Sequence, residues 1–213
     1  MPERVVHRVD DVAQAFAELV NDRSPASIAL SGGELAEDCY RALAATAPDW
    51  SGVTVYMGDE RFVPVQDPDS NEGMARRVLL DSVHPREIHS MAEAGPDLET
   101  AAAAYDELIR RASPIDLVHL GLGPDGHTAS LFPGSSQLEV RDRYVVSGGD
   151  DLHPHPRLTF TYPAIAASRL VVFTVDNGEK RELLARVLDG DALFPAARVT
   201  APEVVWLVES DAA

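Results

Sequence analysis

Three observations in the sequence predict an α/β fold with a largely parallel sheet. Short apolar runs alternate with longer segments whose apolar residues recur at helical spacing. Glycine-bearing clusters follow several of those runs and open the next helical segment. No linker-like composition break, low-complexity tract or internal repeat divides the 213 residues, so one domain over 1–213 is expected, with 45% apolar residues to fill its core.

Val9, Val12, Phe16, Leu19 and Val20 share one helical face, and "SIAL" after them reads as a short buried strand. "GELAEDCYRALAATA" is helical, "VTVYM" a strand, and "NEGMARRVLLDSV" a helix. "DLETAAAAYDELIRRA" is a strong helix with Leu98, Ala101, Tyr105 and Leu108 on its apolar face. "IDLVHLGL" and "RLVVFTV" are strands, "EKRELLARVL" is a helix, and "EVVWLV" is the last strand. That order gives an open, mostly parallel, Rossmann-like sheet with helices on both faces. Residues 144–161 break the pattern with Gly, Asp and Pro between two extended pieces, and read as a small antiparallel addition at the sheet edge.

Lys and Arg number 18 against 35 Asp and Glu, a formal charge of −17, which argues against nucleic acid as a partner. Cys39 is the single cysteine, so an internal disulfide and a cysteine-based zinc site are excluded and a reducing compartment fits. The first residues, "MPERVVHRVDDVAQ", lack the apolar stretch of a signal peptide, and no later run is long enough to span a membrane. A soluble cytoplasmic protein without a membrane partner is expected. Lys180 is the only lysine beside seventeen arginines.

Open parallel sheets bind ligands beyond the carboxyl ends of their strands, where loops converge and helix N-termini point inward. Four clusters fall there: Ser31-Gly32-Gly33, Gly58-Asp59-Glu60-Arg61, Gly121 to His127, and Gly178-Glu179-Lys180. Taken singly they are a tight turn, a solvated loop, a turn histidine and a surface charge. His127 by its local sequence is either a turn residue or a general base. Gly126 beside it is expected to leave the backbone open to a ligand, and Thr128 and Ser130 can start a helix. His153 and His155, in "HPHP", read as loop residues rather than metal ligands, and His119, within a strand, as a packed one.

With these residues assembled, "GLGPDGHTASLFPGS" closely resembles the signature of the glucosamine-6-phosphate isomerase/6-phosphogluconolactonase family, on its lactonase side. "LSGG", "GDERFVP", "DSNEGMARRVLL", "HPRLTFTYPAI", "GEKRELLARVL", "LFPAARV" and "VVWLVESDAA" resemble it in order and spacing over residues 28 to 213. One departure stands out: Gly33 leads into Glu34 and Leu35, where the family commonly has Ser or Thr and then Pro. Glu34 is expected to point away along the helix and leave binding to backbone N–H groups.

The resemblance implies hydrolysis of 6-phospho-D-glucono-1,5-lactone to 6-phospho-D-gluconate in the oxidative pentose phosphate pathway, with no metal, nucleotide or other cofactor. It assigns the general base to His127 and a role in orienting sugar hydroxyls or the imidazole to Asp59. It places Arg61, Arg157 and Lys180 on the phosphate, with Gly32, Gly33 and Gly126 also in the binding site. Backbone N–H groups from Gly123 to Gly126 are candidates for the oxyanion, Asp125 for shaping the turn, and Asn71 matches a position without an assignable role. A monomer or weak homodimer is expected. Two alternatives are a glucosamine-6-phosphate deaminase, which "TASLFP" disfavours by supplying no acid after the histidine, and a non-catalytic sugar-phosphate sensor.

Overall fold

The computed structural model of the chain describes residues 3–149, 154–176, 178 and 180–210. His153, Glu179 and the middle of the loop at 148–156 lie outside the described residues. The strands are β1 Glu3–Val9, β2 Ser27–Leu30, β3 Thr54–Met57, β4 Asp59–Arg61, β5 Glu87–Ile88, β6 Leu117–Gly121, β7 Val145–Gly148, β8 Arg157–Phe160, β9 Leu170–Val175 and β10 Glu203–Glu209. The helices are α1 Val12–Arg23, α2 Glu34–Ala45, α3 Asn71–Ala75, α4 Asp81–Val83, α5 Leu98–Ala112, α6 Tyr162–Ala166 and α7 Arg181–Leu188.

Seven strands form one sheet in the order β1-β10-β9-β6-β2-β3-β5, parallel at every pairing. Every residue of β9 is buried, which requires cover on both faces and explains why it reads as an unbroken apolar run. Trp206 and Phe173 are register partners on β10 and β9, and their rings stack at 3.8 Å between centroids. Helix α1 packs on α2 and over β9 and β10, burying Phe16, Ala17 and Val20. Both α1 and α5 start at aspartates: Asp11 accepts from Gln14 N–H and Asp97 from Thr100 N–H.

The chain runs outward from β2 to β3 and β5, then crosses back to β6 on the other side of β2 and continues outward through β9 and β10. Direction therefore reverses between β2 and β6. Loops leaving those two neighbours diverge and open a crevice at their carboxyl ends.

The structure departs from the sequence pattern in three places. β1 is a full edge strand, yet Arg4, His7 and Arg8 are exposed and only Val5 and Val9 are half-buried, which gives it the look of a charged tail. The helix expected over 71–83 is interrupted by a π-helical turn at Arg76–Leu80. The antiparallel addition does not extend the main sheet: β8 pairs with β7 on one side and β4 on the other to make a separate sheet in the order β4-β8-β7. Gly58-Asp59-Glu60-Arg61 is thus mostly strand, joining β3 of the large sheet directly to the small one.

Glu60, fully buried on β4, shows how that junction is held. Its carboxylate accepts from Arg61 N–H and Asn71 N–H on one oxygen, and from Ser70 hydroxyl and Glu72 N–H on the other. Burial pushes the Glu60 carboxyl up to about 7, against the pull of those donors. The folded chain then binds this proton at higher pH than the unfolded chain, so stability rises as pH falls from about 7 toward the ordinary glutamate range. Glu60→Gln, which cannot titrate, is expected to lose that gain, roughly 3 kcal/mol over the window. Denaturant unfolding of both proteins between pH 8 and pH 5 checks it: parallel curves would refute the assignment.

Candidate active site

The loops after β2, β3, β6 and β9 wall one cleft of about 320 Å³, large enough for a small phosphorylated sugar. Gly32, Gly33, Asp59, Arg61, His127, Arg157 and Lys180 all line it. Of the expected site residues, only Gly126 does not.

His127 sits in a turn that β6 launches. Gly123 N–H donates to the His127 carbonyl at 2.9 Å and Gly126 N–H to the Gly123 carbonyl at 3.0 Å, closing the loop on itself. Asp125 then receives both the His127 N–H, at 3.0 Å, and His127 Nδ1, at 2.6 Å. A carboxylate only accepts, so Nδ1 carries a proton, and in the neutral tautomer with that proton the lone pair lies on Nε2. The ring also leans on Phe132, 4.7 Å between centroids, and lies directly over Gly123. A Cβ at Gly123 would fall 2.1 Å from the His127 ring, so this close approach requires glycine.

The turn corrects three expectations. The N–H groups of Gly123 and Gly126 are spent within the turn, so neither faces an oxyanion in the cleft. Gly126 is buried rather than open to ligand; its φ of +84° and its contact with Phe194 make it a turn-forming residue. The partner of the imidazole is also Asp125, two residues before it, while Asp59 is turned elsewhere. Asp59 Oδ2 accepts the Ser130 hydroxyl at 2.8 Å, and its cross-strand partner Thr159 accepts Ser130 N–H at 3.1 Å. Asp59 therefore ties the His127 loop to the small sheet.

The small sheet also decides where the cations stand. In the antiparallel pairing of β4 with β8, Arg61 is opposite Arg157. Directly opposed like charges disfavour a strand pair by themselves, and an anion between them removes the penalty. Arg157, 7% exposed, also lies over the Phe132 ring at 5.6 Å. Phe132 thus touches both the histidine and the arginine. Lys180, at the start of α7, is held by Asp176 at 2.7 Å across the mouth of β9, and both line the cleft.

Asn71 acquires a role the sequence did not disclose. Its Nδ2 donates to the Asp59 carbonyl at 3.0 Å, and its Oδ1 would lie 1.9 Å from a Cβ at Gly32. Gly32 is a glycine because Asn71 passes that close, and Gly33 because it takes φ +102° as the N-cap of α2. Glu34, the departure noted above, begins α2 as an exposed residue and also lines the cleft. Its charge complements the positive end of that helix.

The fold and site can be set beside known proteins. The chain is 39% identical over 215 residues to a Synechocystis 6-phosphogluconolactonase, spanning 94% of this chain and 89% of that one. It is 35% identical to a Streptomyces coelicolor 6-phosphogluconolactonase, spanning 100% and 94%. The crystal structure of 6-phosphogluconolactonase from Thermotoga maritima superposes with a TM-score of 0.86 at 28% identity, covering 97% of this chain and 100% of that one. A monomeric glucosamine-6-phosphate deaminase, at 20% identity and a TM-score of 0.80, shares the fold. With the family model matched over residues 2–206, the chain belongs to the glucosamine-6-phosphate isomerases/6-phosphogluconolactonase family.

Proposed function

We propose that the protein hydrolyses 6-phospho-D-glucono-1,5-lactone to 6-phospho-D-gluconate, with His127 as general base on water. The observation that carries this reading is that His127, backed by Asp125, and the opposed Arg61–Arg157 pair line one cleft. A dianion at one end and an ester carbonyl at the other match those two pairs. The lactonase relatives favour the same substrate.

Water in the cleft gives a proton to Nε2 as its oxygen attacks C1, and the resulting imidazolium is stabilised by the Asp125 carboxylate on Nδ1. The tetrahedral intermediate collapses with cleavage of the bond from C1 to the ring oxygen. His127 returns its proton to that oxygen as it leaves, and the new carboxylic acid ionises to solvent. Arg61, Arg157 and Lys180 hold the phosphate; for Lys180, phosphate competes with the Asp176 contact. No step calls for a group beyond water and the chain's own residues.

Freshly generated lactone, assayed with its spontaneous hydrolysis subtracted, tests the activity, with ammonia release from glucosamine 6-phosphate measured in parallel. Ammonia without lactone hydrolysis would overturn the assignment. Arg157→Ala and Lys180→Ala are each expected to raise KM about 10- to 100-fold with a smaller change in kcat, the size of a charged hydrogen bond to phosphate.

A further inference from the structure

A hydrogen-bonded chain of three side chains, anchored on the backbone of Ser31, lies beneath the cleft and plays no part in the mechanism above. Tyr40 on α2 is fully buried, and its hydroxyl accepts Ser31 N–H at 2.8 Å while donating to the Ser31 carbonyl at 3.1 Å. The same oxygen lies 2.8 Å from His119 Nδ1, and His119 Nε2 lies 2.9 Å from the Thr174 hydroxyl. Burial keeps the His119 ring neutral, its pKa down to about 3. One set of proton positions satisfies every contact: Thr174 hydroxyl donates to Nε2, Nδ1–H donates to Tyr40, and Tyr40 donates to Ser31.

The chain runs from α2 through β6 to β9 and ends on cleft-lining residues at both sides, Ser31 and Thr174. Ser31 itself is 4% exposed, and its Oγ finds no hydrogen-bond partner among the described residues. A buried hydroxyl without a partner destabilises the fold, and a ligand that supplies the bond removes that cost.

We propose that Tyr40 and His119 are positioning residues for the reaction: they fix the Ser31 backbone so that the Ser31 hydroxyl and the Gly32-Gly33 loop meet the bound sugar phosphate. This rests on the lactone-hydrolase reading above and deepens it. Neither Tyr40 nor His119 lines the cleft, so each acts only through Ser31 and Thr174.

The test combines steady-state kinetics on the lactone with calorimetric binding of 6-phosphogluconate to the full chain. Ser31→Ala and Tyr40→Phe are each expected to raise KM and the product Kd about tenfold, with kcat within about twofold. The double variant is expected to be no worse than either single by more than about twofold, because both act on one contact. His119→Leu should reproduce the Tyr40→Phe loss, and His119→Gln, which keeps one donor and one acceptor, should recover affinity. A lowered melting temperature with unchanged KM and Kd in Tyr40→Phe would make the network merely structural and overturn the proposal, as would additive effects in the double variant. The His119→Leu and His119→Gln comparison decides the matter if Tyr40→Phe does not fold. A parent chain that binds product without hydrolysing lactone would count against the reaction, not against the positioning.

Discussion

His127→Ala is expected to lower kcat on 6-phosphogluconolactone about 10³-fold while leaving KM nearly unchanged. The alanine removes the imidazole that lines the cleft and, with it, the Asp125 contact on Nδ1, the pair proposed above to take the proton from water. Arg61 and Arg157 remain, fixed by strand register and not by the histidine, so the phosphate end of the substrate keeps its contacts. Initial rates with the spontaneous reaction subtracted decide it. Full turnover in the alanine variant would remove His127 from the chemistry.

Gly123→Ala should damage the same step without touching a titratable group. Gly123 does not have a positive φ, so alanine fits its backbone, but the new Cβ would fall 2.1 Å from Cε1 and 2.2 Å from Nδ1 of His127. The ring end of a side chain can swing aside, which spares the fold. It also breaks the 2.6 Å bond to Asp125 and the packing on Phe132. A loss of about 10²-fold in kcat with little change in melting temperature is expected, the scale of a base displaced by an ångström or so. Gly126→Ala should do the reverse. There φ is +84° and the intruding contact is Phe194, so stability falls by roughly 1–3 kcal/mol while the base keeps its partner. A stable but inactive Gly126→Ala beside an active Gly123→Ala would invert the roles given to these glycines.

Sequence made the main sheet legible where strands are buried on both faces, as with β2, β6 and β9, because burial demands mainly apolar runs. It failed at β1, where one edge faces solvent and charges are admitted, and at β4, whose three residues find their partner nearly a hundred positions later. The site was legible by location: clusters at strand ends were brought to one cleft by the fold. Orientation was not legible. That Asp125 faces the imidazole while Asp59 holds Ser130 depends on a loop closed by two backbone bonds, which no spacing encodes. Asp two residues before His was the available signal. Glycines look alike in a sequence, and only torsions and neighbours separate Gly123, Gly126, Gly32 and Gly33.

The pairing of β1 with β10 has a consequence for how the protein comes off the ribosome. Glu3 is matched with Glu203, 200 positions later, so β1 waits for β10 to be made before its ladder can close. Throughout synthesis its backbone donors and acceptors stand unclaimed, a template for stray strands from other nascent chains. Arg4 and Arg8 spread cationic charge over that waiting segment and keep it hydrated. Neutral residues at those two positions should cost yield in the cell well before they cost activity in the purified enzyme.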